Sequence, residues 1–287
     1  MYNGPLESGP FFMPARYEPI PRQGAGFDLG CCLMSYAFRR RFLSHGLLTG
    51  LMLSGLWGCS TVPPAEPAVP AEPELTGWSS RELPGKPATR YSMAKRGGRA
   101  CVLAQAERSA SLWRRTLKLD PQYIGRLEFD WWITTLQSSA TVAESELDDA
   151  PARLVLAFDG DAGRLSVRNR MLFELAHTLT GEAPPFATLM YVWDAKAEPE
   201  TVVISQRSDR IRKIVVGSGP AGAPRWQRFT RDVAADYRKA FGENPGTLIG
   251  AAFMTDGDNT RSRAEACYGT LVFRDGQQHS LPGSLEF

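Results

Sequence analysis

RLEFDWWITTL, residues 126–136, decides the fold. Leu127, Phe129, Trp131 and Ile133 alternate with Glu128, Asp130, Trp132 and Thr134. Side chains of a strand point to opposite faces in turn, so this period of two predicts a strand with one face in a core. Residues 153–159 repeat it, with Leu154, Leu156 and Phe158 set against Arg153, Val155, Ala157 and Asp159. Further strand-like runs cover 100–106, 112–119, 187–193, 201–205, 211–217, 248–254 and 268–273, nearly all bounded by turn residues. Two segments read as helices. In 168–179, Met171, Leu172, Leu175 and Leu179 share a face, and in 231–241 Val233, Tyr237 and Phe241 do so, with Gly242 where a C-terminal cap belongs. A doubly wound fold would place a helix after nearly every strand. The expected fold is therefore mainly β, a β-sandwich or jelly roll with two helical crossovers.

The rest of the chain reads as export machinery. Residues 1–33 carry no export logic and precede a better start at Met34. From there Arg39-Arg40-Arg41, an apolar run from about Gly46 to Trp57 and small residues follow in the order of a signal peptide, 34–58. The apolar run falls short of the roughly 20 residues that a membrane-crossing helix needs. Leu56-Trp57-Gly58-Cys59 resembles the lipobox of bacterial lipoproteins, although Trp57 departs from the usual pattern. The resemblance implies a lipidated Cys59, with diacylglycerol on sulfur and a further palmitate-type chain on the new amino group. Arg39 to Leu43 also resembles a twin-arginine export motif, but Phe38 and Ser44 depart from its flanks. An ordinary basic leader is the better reading. Residues 59–77 alternate Pro with Ala and Glu. This extended tether at ~3.1 Å per residue reaches on the order of 45 Å. Ser60 after the cysteine favours the outer membrane. The expected location is thus the bacterial envelope, facing the periplasm.

Residues 78–287 remain as a single sandwich domain. The chain has 287 residues with 33 basic and 31 acidic side chains, and no basic block lies outside the leader. Nucleic-acid binding is not expected. Of the five cysteines, Cys101 and Cys267 alone fall in the globular part, which in an oxidising compartment predicts one disulfide. KIVVGSGPAG, 213–222, matches G-x-G-x-x-G, but the following residues 223–229 read as a strand. A glycine-rich hairpin turn explains the run, and no nucleotide cofactor is expected. His45, His177 and His279 sit in the leader, on a helix flank and in the tail. No nucleophile context and no zinc spacing occurs, so no catalytic residue, metal or other cofactor is assigned.

Three acidic clusters remain: Asp148-Asp149, Asp159 with Asp161, and the loop Asp256-Gly-Asp258-Asn259. Such runs are mostly turns, because these side chains bond nearby backbone. Trp132 carries more information. It shares a face with Glu128 and Asp130, and an aromatic ring among carboxylates suits the stacked face and hydroxyls of a sugar. The bland alternative is that a crossover helix covers it. Arg153 is expected on the same face of a second strand, and Asp256, Asp258 and Asn259 in a loop that completes the site.

The stretch 113–273 resembles the bacterial domain-of-unknown-function family 3047. The resemblance rests on LEFDWW at 127–132, DDAPARLVLAFD at 148–159, YVWD at 191–194, RDVAADYRKAFG at 231–242, MTDGDNT at 254–260 and Tyr268-Gly269. It implies an export-compatible β-rich domain and assigns no activity. The expected function is a lipid-anchored envelope protein with a non-enzymatic binding domain, carbohydrate being the candidate ligand. The alternatives are a hydrolase acting on envelope polysaccharide through a carboxylate pair and a structural lipoprotein that docks a protein partner.

Overall fold

The computed structural model describes residues 77–287, apart from 125, 136 and 220–223. The leader, Cys31, Cys32, Cys59 and nearly all of the tether lie outside the described residues, as do Leu136 and Gly222. In chain order the elements are β1 (Trp78–Glu82), β2 (Arg90–Arg96), β3 (Arg99–Glu107), β4 (Ala110–Leu119), β5 (Arg126–Thr135), β6 (Arg153–Phe158), α1 (Val167–Thr180), β7 (Ala187–Asp194), β8 (Val202–Ile204), β9 (Ile211–Ser218), β10 (Trp226–Arg231), α2 (Val233–Phe241), β11 (Leu248–Asp256) and β12 (Arg263–Arg274). They form two sheets, one of seven strands ordered β1-β4-β11-β6-β7-β9-β8 and one of five ordered β10-β5-β12-β3-β2. The protein is mainly β, as the alternation requires.

Each strand read from the sequence is present; β1 and β2 are added to them. Their residues, WSSRE and RYSMAKR, are mostly polar because both strands lie at sheet edges. Gly97-Gly98 would have revealed β2. Both glycines have positive φ, +54° and +80°, and join the paired residues Arg96 and Arg99. A two-residue hairpin turn needs that conformation, which glycine adopts without a Cβ clash.

The core lies between the inner faces. Trp78 and Phe253 stack on Trp113, with centroids 4.5 Å and 6.3 Å away. Phe129 meets Trp131 at 5.1 Å and Tyr191 of the other sheet at 5.5 Å. The alternation of β5 holds for Leu127, Phe129 and Trp131, all fully buried. In β6 the alternation also holds, but its second face is buried too. The segment between β5 and β6 folds over that face, and Val142 and Ala150 cover Val192 and Val215 in a small outer core.

Helix α2 matches the sequence reading. Asp232 caps it by accepting from the Ala235 amide at 2.9 Å, Val233 and Tyr237 are buried, and Gly242 ends it at φ +71°. Helix α1 exists but docks by a neighbouring face, and of the expected inward set only Leu172 is sheltered. Met171, Leu175 and Leu179 are exposed; Asn169, Leu172, Phe173 and Ala176 are the sheltered positions. Polar ends hold this helix. Asn169 accepts from the Ser208 hydroxyl at 3.0 Å, and Arg81 donates to the Thr180 carbonyl at 3.3 Å. Apolar residues occur nearly all round α1, so periodicity did not select the docking face.

The glycine-rich run is not a hairpin turn. Strand β9 pairs with β7 and β8, whereas β10 pairs with β5 in the other sheet. The run carries the chain from one sheet to the other. Gly217 is needed because a Cβ there would lie 2.3 Å from the Trp193 ring. A strand and not a helix follows, so the dinucleotide reading fails as expected.

Cys101 on β3 and Cys267 on β12 form a disulfide between adjacent strands, with Cα atoms 5.7 Å apart. It closes a separation of 166 residues. In the chain-entropy model a loop this long stabilises by about 5 kcal/mol. Chemical unfolding with and without reductant should show a loss of that size, and so should the Cys101→Ala/Cys267→Ala variant. Unchanged midpoints in both would refute it.

Candidate functional site

The residues singled out in the sequence fall in two places. Trp132, Glu128 and Asp130 belong to β5 in the five-stranded sheet. Arg153 lies in β6 and Asp256 ends β11 of the seven-stranded sheet, with Asp258 and Asn259 in the loop that follows. The expectation that Arg153 shares a face with Trp132 is therefore wrong. Alternation reports which side of its own sheet a residue takes, not which sheet the strand joins.

On the five-stranded sheet no helix among the described residues covers Trp132. Its half-buried ring packs over the disulfide with Leu103, Ala94 and Trp226. Trp226 meets it edge-on at 6.0 Å, and the Arg99 guanidinium lies 4.2 Å over the Trp226 ring. Asp130 is not a surface carboxylate. Arg99 donates to it at 2.8 Å and the Thr270 amide at 2.9 Å, within a bulge of β12. Gly269 makes room for it, since a Cβ there would lie 2.2 Å from the Asp130 oxygen. Glu128 lies four residues from Trp132, at ~13 Å along the strand. It pairs there with Arg126 and Arg274, both at 3.4 Å.

Two residues along β12 from Cys267, and so ~7 Å from the Trp132 row, the same outer face opens into a groove. Its cavity of about 460 Å³ is lined by Arg90, Gln105, Thr135 and Glu265, with the Glu107–Arg263 pair at its side. Glu265 is held in place: Gln105 and Arg96 each donate to it at 3.0 Å. Burial works to raise its carboxyl, but those hydrogen bonds bring it below its ordinary value. The sequence reading missed this groove, which takes its side chains from four strands of mixed local pattern.

On the seven-stranded sheet the loop residues join a buried ion network. Asp256 takes two hydrogen bonds from Arg153, each 2.9 Å, and one from the Ala150 amide at 3.0 Å. Asp148 bridges Arg153, at 3.1 Å, and Lys213. Lys86 pairs with Asp258, and Asn259 donates to the Ser145 carbonyl at 2.7 Å. Asp149 accepts from the amide of Thr260 at 2.6 Å and that of Asn259 at 3.2 Å. This loop is thus a turn tied to a buried carboxylate. Asp149, Asp256 and Asp258 bring carboxylate oxygens within 4.8 Å of one another. Lys86 and Arg153 pair with Asp258 and Asp256, and Asp149 is met by neutral amide and hydroxyl donors. Lys213 went unnoticed in the sequence, although a lysine at the same parity as Ile211 and Val215 marks a charge on a covered face.

The fold and these surfaces define a two-sheet β-sandwich with an open polar groove on one sheet and a buried ion network on the other. The chain belongs to the family described as protein of unknown function DUF3047, whose model matches residues 76–272. A search of curated proteins returned no match.

Proposed function

We propose that this chain is an exported envelope protein, anchored by lipid on Cys59, whose sandwich binds carbohydrate in the groove of the five-stranded sheet without transforming it. The observation that carries this reading is the groove itself. It is open, large enough for a sugar residue, and walled by planar hydrogen-bonding groups held in fixed positions. Preorganised donors and acceptors with an aromatic ring close by are what hydroxyl-rich ligands require. A binding role fits better than hydrolysis, because Glu265 is fixed by Gln105 and Arg96 and Glu107 by Arg263. A retaining or inverting hydrolase needs one carboxyl kept protonated.

The test is native mass spectrometry of the detergent-solubilised full chain against a panel of envelope glycans. At least one glycan should bind, and Gln105→Ala should weaken it about five- to tenfold, the worth of one or two hydrogen bonds. Glycan shortening that disappears in Glu265→Gln would establish a hydrolase instead. The absence of any bound glycan, together with a stoichiometric co-purifying protein, would favour a docking role. The anchor is tested separately: Cys59→Ala should abolish both acylation and membrane partition, and unchanged lipidation would refute it.

A further inference from the structure

The ion network on the seven-stranded sheet surrounds a void of about 80 Å³. Its walls carry Lys86, Arg153, Arg207 and Lys213 against Asp148, Asp256 and Asp258. Buried charges normally stabilise a fold only when they are packed against one another with no gap, because their desolvation is costly. Here Arg153 and Lys213, each only 3% exposed, border an opening instead. The walls mix these charges with Leu83, Met190, Ile211 and Met254, and charged groups bordering such a recess are solvated by water or by a ligand group.

The charges decide which group. Four basic side chains face three acidic ones across the walls, and Asp149 stands behind them within 4.8 Å of Asp256 and Asp258. Each of the wall carboxylates has a cationic partner, while Arg207 has no acidic partner among the described residues. Its guanidinium stands near Lys86, and burial, followed by the Arg207 charge, lowers the Lys86 ammonium. Burial, followed by Arg153, likewise lowers Lys213, although Asp148 works against both. Two like charges beside a void are relieved by an anion placed between them.

We infer that this recess, between the β1–β2 and β8–β9 loops, binds one oxyanionic group, a carboxylate or a phosphate or sulfate ester, of a larger ligand. The recess admits a few waters or one such group and is several times smaller than the groove on the other sheet. Lys86, Arg207 and Lys213 supply the cationic contacts, and Arg153 holds the carboxylates away from the entering charge. This site lies on the other sheet from the carbohydrate groove and does not depend on it.

The experiment is thermal unfolding and calorimetric titration of the full chain in detergent with inorganic phosphate, sulfate and acetate. Chloride at matched ionic strength is the control. A saturable rise in Tm is expected with at least one oxyanion and not with chloride. Stronger binding of phosphate or sulfate would identify an ester, and stronger binding of acetate a carboxylate. Arg207 is exposed, so Arg207→Ala should fold normally and weaken binding tenfold or more, while Arg207→Lys retains most of it. A stabilisation that climbs without saturation, equally in chloride, would overturn the proposal. So would saturable binding unchanged in Arg207→Ala.

Discussion

Arg153→Ala is expected to destabilise the domain by about 3–5 kcal/mol, the range for removing one partner of a buried charge pair. The guanidinium is 3% exposed and makes four of the hydrogen bonds in the network. Without it, Asp256 keeps only the Ala150 amide as a donor and stands as a buried charge. Burial already pushes the Asp256 carboxyl above its ordinary value, and Arg153 opposes that push. In Arg153→Ala the carboxyl should therefore rise further and take up a proton. Replacing Arg153 by Met together with Asp256→Leu should recover much of the loss, because Asp148 keeps Lys213 as its partner and no buried charge is left unpaired. Urea unfolding measures both. A single-variant loss below about 1 kcal/mol would mean that water reaches the network freely.

The second large effect separates two neighbouring tryptophans. Trp131→Ala should cost about 3–5 kcal/mol as a core truncation. Its ring is fully buried among Phe129 and Phe229, both at 5.1 Å, and Tyr268 at 6.4 Å. Its indole N–H has no hydrogen-bond partner, so Trp131→Phe removes an unsatisfied donor and should cost much less than alanine. Trp132→Ala should cost less, about 2 kcal/mol, since half an indole, ~100 Å² of apolar surface, covers the disulfide and Leu103. The two alanine variants should still differ clearly in denaturation midpoint. Equal losses would mean that the small outer cluster is as well packed as the core.

Much of the architecture was legible without coordinates. The period of two in 126–135 and 153–158 marked the strands, and Asp232 with Gly242 bounded α2, because alternation, capping and turn chemistry are local. The two globular cysteines were paired by elimination. Edge strands β1 and β2 carried too few apolar residues to announce themselves, and the docking face of α1 was hidden by apolar side chains all round the helix.

What the sequence by itself determined is the class of fold and the inward faces of β5 and β6. What only the tertiary structure decided is which strands share a sheet. That assignment separates Arg153 from Trp132, buries Asp130 beneath Gly269, and brings Lys86, Arg207 and Lys213 around one void. The physical reason is that a strand's own pattern records a side but not a neighbour. Its partners are chosen by contacts between residues more than a hundred positions apart, such as Cys101 with Cys267 and Arg153 with Asp256.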